Sequence, residues 1–143
     1  MKNNKGITLI ALVITIIVLL ILAGVALAML AGDNGLLTKA SDSKIVNEIG
    51  ALKDQVNLAA AEGLSDYFEN EYVAATKTEG LTKQSAVYTK ASAVTTSSAY
   101  VEFANVEAST KIVIQGKGDK NYLKAEGTVQ TDGTISWVDT FKK

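Results

Sequence analysis

The sequence predicts an α+β fold: a long N-terminal α-helix, membrane-spanning and then amphipathic, packed on a C-terminal antiparallel β-sheet. Three observations carry this expectation. Ile7 to Leu30 is an almost continuous apolar run, and no charge lies between Lys5 and Asp33. Ile45, Ile49, Leu52, Val56 and Ala59 recur at spacings of three and four, which places them on one helix face. The last third alternates β-branched and aromatic residues with Gly- and Asp-containing turns, the pattern of short antiparallel strands. Strands that follow a long amphipathic helix give a layer of sheet with the helix across one face.

The apolar run should be one helix from Ile7 to about Ala31. At about 1.5 Å per residue it is roughly 36 Å long, enough to cross a bilayer with some tilt. Thr8 and Thr15 can bond carbonyls one turn back. Gly24 sits among Ala23, Ala26 and Ala28. This is either a small-residue face that lets helices approach closely or ordinary membrane-helix composition. Gly32-Asp33-Asn34-Gly35 is a turn signal that breaks the helix; Asp33 and Asn34 suit a polar exit loop and can also cap the next helix.

The amphipathic helix is expected over 36–63, starting at Leu36 or Ser41. Lys44, Glu48, Lys53, Asp54 and Asn57 lie towards its other side, and Gly63 is expected to end it as a left-handed cap. The remainder, 64–143, reads as a globular antiparallel domain. Tyr67, Phe68 and Tyr72 fall in a mixed connecting segment, and 85–99 is nearly all Ser, Thr, Ala and Val. Strands are expected at Tyr100–Val106, Lys111–Gln115, Tyr122–Gln130 and Thr134–Val138. Asp132-Gly133 between the last two is a favoured hairpin turn. Asp119, Asp132 and Asp139 can supply oxygens to Ca²⁺, but they lack an EF-hand spacing, and Asp in Gly-rich turns more often caps the backbone.

Composition removes several function classes. The 143 residues contain no Cys, His or Pro and no arginine. Thiolate and imidazole chemistry, disulfides and proline-containing sortase signals are therefore excluded. No Walker-type loop is present, so no catalytic residue and no cofactor is expected. From Gly32 onward 12 of the 14 lysines face 15 acids, a formal charge of −3. Without Arg or a basic surface, nucleic acid is not an expected partner. An exported domain without disulfides suits a Gram-positive cell surface.

The string Lys5-Gly6-Ile7-Thr8-Leu9-Ile10, where a short basic leader gives way directly to the apolar run, resembles the amino terminus of type IV pilins and pseudopilins. The resemblance covers residues 1–31. It implies that 1–6 is a prepilin leader, that prepilin peptidase cuts between Gly6 and Ile7, and that Ile7 becomes N-methylated. It further implies that 7–31 is first a transmembrane and then a filament-core helix, with Thr8, Leu9, Ile10, Ala11 and Gly24 in the assembly surface. The implied partners are copies of this chain or other pilins, an assembly platform and its ATPase, and the cytoplasmic membrane before assembly. The C-terminal domain is expected outside the cell. The family usually carries Glu at the fifth residue after the cut, where this chain has Ala11. Either backbone carbonyls and Thr8 receive the mature amine, or the subunit has a minor, non-repeating role.

The same residues allow other readings. A plain single-span anchor needs only the run and its flanking lysines. A signal peptide would end at Ala26-Leu27-Ala28 and leave Met29 first, although its apolar region would exceed the usual 7–15 residues. The alternative function is a membrane-anchored binding or adhesion domain that does not polymerise.

Overall fold

The computed structural model of the chain describes residues 5–32, 35–73, 75, 77–104 and 110–142. Its elements are α1 (Lys5–Ala31), α2 (Leu36–Tyr72), α3 (Lys83–Ser92), then β1 (Val101–Ala104), β2 (Lys111–Gly116), β3 (Lys124–Val129) and β4 (Ile135–Thr140). The four strands form one antiparallel sheet in the order β1-β2-β3-β4. The fold is α+β, a long helix packed on a four-stranded antiparallel sheet. The chain divides between Ser41 and Asp42 into two compact units.

In the first unit α1 ends at the glycine-flanked turn that the sequence marks. Gly35 N–H donates to Gly32 O at 2.6 Å, and Thr38 Oγ1 donates to the same carbonyl at 3.2 Å. A Cβ on Gly35 would fall 2.6 Å from Leu30 O, so the turn leaves no room for a side chain. The capping roles considered for Asp33 and Asn34 lie outside the described residues.

The second unit is built on the α2 stripe. Ile45, Ile49, Leu52 and Val56 are buried as their spacing predicts, but the stripe continues through Ala60, and Ala59 is only half-buried. These residues meet Val101, Ile112, Ile114, Ala125 and Val129 from the inner sheet face, with Leu123 and α3's Val87 and Ala91 completing one core. Alternation along β3 shows why: Ala125, Gly127 and Val129 point in, whereas Lys124, Glu126 and Thr128 point out. Among the described residues no polar or charged one is buried, so the core needs no internal hydrogen-bond network.

The polar residues flanking the stripe do more than face solvent. Lys53 Nζ pairs with Asp139 at 2.8 Å, and Asn57 Oδ1 accepts from Trp137 Nε1 at 3.0 Å. Lys44 Nζ lies 3.8 Å from the Tyr100 ring centroid, and Ser98 Oγ donates to the Glu48 carboxylate. At the start of the unit Asp42 accepts from Lys120 Nζ at 2.7 Å and from the Tyr122 hydroxyl at 3.0 Å. The helix is thus tied to the sheet along both margins of its apolar stripe.

Two expectations are corrected, and a segment that the sequence left unassigned gains an element. Gly63 does not cap α2, which continues nine residues further to Tyr72 and takes in Tyr67 and Phe68. A Cβ at Gly63 would fall 2.6 Å from Ala86 O and 2.7 Å from Val87 Cα, so this glycine lets α3 cross α2 at backbone contact. Its lack of a side chain is used for close approach rather than for a left-handed cap. Secondly, the Ser/Thr/Ala-rich segment contains a helix. Thr82 opens α3 with a capping box: its hydroxyl accepts from Ser85 N–H, and Ser85 Oγ accepts from Thr82 N–H. Thirdly, strand ends shift by one or two residues. β4 runs on to Thr140, and β3 is shorter than expected; Asn105 and Val106 of the first expected strand lie outside the described residues. The hairpin is where Asp132-Gly133 places it, with Gly133 at φ +88° and Asp132 Oδ1 accepting from Thr134 N–H at 2.9 Å.

Candidate functional site

The residues singled out by the sequence lie on α1. Lys5, Gly6 and Ile7 form its first turn, so the Gly6–Ile7 bond lies in helical backbone. The first N–H groups of any helix lack intrahelical partners, and fraying there costs little. A protease requiring an extended substrate would have to unwind only that turn.

From Thr8 to Gly32 every residue is exposed within the chain. Leu19 and Leu20 show 65% and 68% of their surface and Met29 72%. Leu9 and Ile10 are exposed likewise, and Ala11 and Gly24 with them. A Cβ on Gly24 would meet nothing within 4 Å, so the glycine has open space on its side of the helix. Thr15 Oγ1 donates to Leu12 O at 2.8 Å, the back-bond that keeps a hydroxyl satisfied in an apolar solvent. The helix carries no acid in its first turn and no base in its last.

Such a surface does not tolerate water. Soluble monomers rarely expose contiguous apolar patches beyond a few hundred Å², and α1 is apolar around its whole circumference. It is also long enough and apolar enough to cross a membrane. Its internal hydrogen bonds satisfy the backbone, as a lipid-embedded segment requires. What the arrangement can do is insert into a bilayer or pack among other apolar helices. Both environments remove the same surface from water.

The three aspartates considered for Ca²⁺ are not gathered into a site. Asp139 holds Lys53, while Asp132 accepts from both the N–H and the hydroxyl of Thr134, which lowers its pKa. Asp119 is exposed in the 3₁₀ turn Gly118–Lys120. Among the described residues no group of three or more acids is placed to hold a metal ion. Sequence reasoning missed one feature of the second unit, a cleft beside β1. Its walls come from a helix and a loop that looked like undifferentiated polar chain.

Comparison of the chain with protein-family models, with curated proteins and with solved structures gives no match.

Proposed function

We propose that this chain is a structural subunit of a type IV pilus-like or pseudopilus filament, processed by prepilin peptidase between Gly6 and Ile7. The supporting observation is the pairing of two unlike parts. A helix apolar on every side, with no buried residue from Thr8 to Gly32, precedes a unit that has its own complete core. In the membrane the helix anchors the chain with the C-terminal unit outside the cell. In a filament the same surface packs against copies of itself or other pilins. Bilayer and helix bundle are similarly apolar, so packing and interhelical contacts decide the transfer. Thr8, Leu9, Ile10 and Ala11 enter the bundle first, and the open side of Gly24 admits a neighbouring helix. An assembly platform and its ATPase supply the work. The role is structural rather than catalytic.

The test is the intact mass and first residue of the native protein recovered from its own cells. A chain that begins at N-methylated Ile7 supports the proposal. A start at Met29 would make the chain a secreted soluble domain, and an uncut leader would make it an anchored binding or adhesion domain. Either result overturns processing as a pilin.

A further inference from the structure

We propose that the first turn of α2 belongs to the membrane-bound body of the chain, with Leu36 and Leu37 seated among phospholipids where the chain leaves the bilayer. This rests on the membrane-anchored state of α1 and not on filament assembly.

The sequence places the exit at the turn Gly32–Gly35, but the chain divides further on, after Ser41. Leu36 and Leu37 are therefore part of the same unit as α1. The turn that joins them to it is tight. A Cβ on Gly35 would fall 2.6 Å from Leu30 O. Consecutive Cα atoms are about 3.8 Å apart, so Leu36 begins within about 8 Å of the Leu30 carbonyl. Thr38 Oγ1 donates to Gly32 O at 3.2 Å and Lys39 N–H to Gly35 O at 3.1 Å, so helical bonding resumes at once and holds the leucines at that level.

Bilayer dimensions give that level a meaning. The apolar length of α1, roughly 36 Å, exceeds a hydrocarbon core of about 30 Å, and each headgroup layer adds about 5–7 Å. When α1 spans the core, its last turn stands at the outer edge, and the start of α2 falls in the headgroup layer. Side chains of a helix tilt towards its N-terminus, so those of Leu36 and Leu37 lean back over the turn, towards the apolar end of α1.

The exposure of the two leucines identifies the occupant. Leu36 and Leu37 show 76% and 65% of their surface, as bare as Leu19 and Leu20 in the middle of α1. Among the described residues of their unit no large apolar side chain is buried. The surface of α1 thus resumes directly beyond the turn, and the lipid that covers the one is within reach of the other. Lys39, exposed one turn past Gly35, marks the water side. Its stem can lie along the acyl boundary with the ammonium among the phosphates.

The experiment places the full chain, with methyl-labelled Leu and Ala, in bilayer discs of phosphatidylcholine and phosphatidylglycerol. NMR line broadening is read with paramagnets at different depths. A lipid labelled near its headgroup should broaden Leu36 and Leu37, and one labelled at the acyl end should broaden Leu20. An aqueous gadolinium chelate should broaden Leu58, exposed in the second unit, and leave Leu36 and Leu37 sharp. In the double variant Leu36→Asn, Leu37→Asn, both at exposed positions, the Ala40 methyl should lose its broadening by the headgroup label and gain broadening by the chelate. Leu36 and Leu37 open to the chelate, with Leu20 still in lipid, would overturn the proposal and leave the membrane anchor standing. Leu20 open to the chelate would remove anchor and proposal together. Leucines shielded from lipid and water alike would be covered by a second copy, and an unchanged Ala40 would mean that they hold nothing in place; each result overturns the proposal.

Discussion

α1 and α2 are both long helices, and they solve opposite problems. In α2 one stripe, Ile45, Ile49, Leu52, Val56 and Ala60, is buried in the core it shares with the sheet of its own unit, while the helix's other large apolar residues, such as Leu58 and Phe68, stay exposed. In α1 apolar residues lie all around the axis, and each residue from Thr8 to Ala31 is exposed. A stripe specifies a partner with one face, which the same chain can supply. A fully apolar helix specifies a solvent, lipid or a bundle of like helices, which one copy cannot supply. The difference separates folding, which α2 completes, from insertion or assembly, for which α1 is left open.

Charge substitution is the strongest way to break this comparison. Val56→Asp puts a carboxylate into the core where no partner exists and should cost upward of about 4 kcal/mol, enough to unfold an ordinary domain. Leu19→Asp should leave the melting temperature of the second unit unchanged and instead lower membrane insertion by about 2.5–3.5 kcal/mol. Thermal melts and membrane fractionation on the same two variants read both effects. Equal melting temperatures for the two would mean that α2 is not the domain's core helix.

Glycine substitution sharpens the comparison on a smaller scale. Gly63→Ala drives a methyl group into the Ala86 carbonyl of α3 and should destabilise the second unit by about 1–3 kcal/mol in urea titration. Gly24→Ala meets open space, and its helix propensity rises by up to about 1 kcal/mol. If Gly24→Ala lowered filament yield while the membrane-inserted monomer stayed intact, close helix approach at that position would be the cause.

The smallest effect concerns pH. Lys120 is held above the ordinary lysine value of 10.5, chiefly by its hydrogen bond to Asp42, with burial opposing. A raised folded pKa adds stability that is fully present below the unfolded value and is lost as pH rises through the folded one. The melting temperature of the wild type should therefore fall more steeply in strong alkali than that of Asp42→Asn. Parallel curves would leave the pair without a measurable role.

What could be read from the sequence follows from which interactions are local. The α2 stripe, the break after α1 and the Asp132-Gly133 hairpin are written in spacings and turn residues within a few positions of one another. Gly63 was misleading for a physical reason. Its local meaning is a helix end, yet its use is set by Ala86 and Val87, more than twenty residues away. The aromatics at 67, 68 and 72 sit at helical spacing. Phe68 and Tyr72 stack at 6.2 Å, but the acids among them hide an apolar period. In α3 only Ala86, Val87 and Ala91 are buried, too few and too small for a periodic signal, so its capping box was the readable clue. The β1 cleft was illegible because it depends on which strand ends at the sheet's edge. The α1 surface, in contrast, was legible residue by residue, since a wholly apolar helix needs no tertiary information to identify it.

Trp137 offers an internal gauge of the helix–sheet contact. It is the single tryptophan, half-buried, with its indole N–H on Asn57 of α2 and its ring over Gly127, where a Cβ would fall 2.9 Å from Cζ3. Its emission therefore reports one event, the lifting of α2 from the strands. In the purified chain, moved from detergent into lipid vesicles, that one fluorophore would show whether the second unit keeps its packing when the chain changes surroundings.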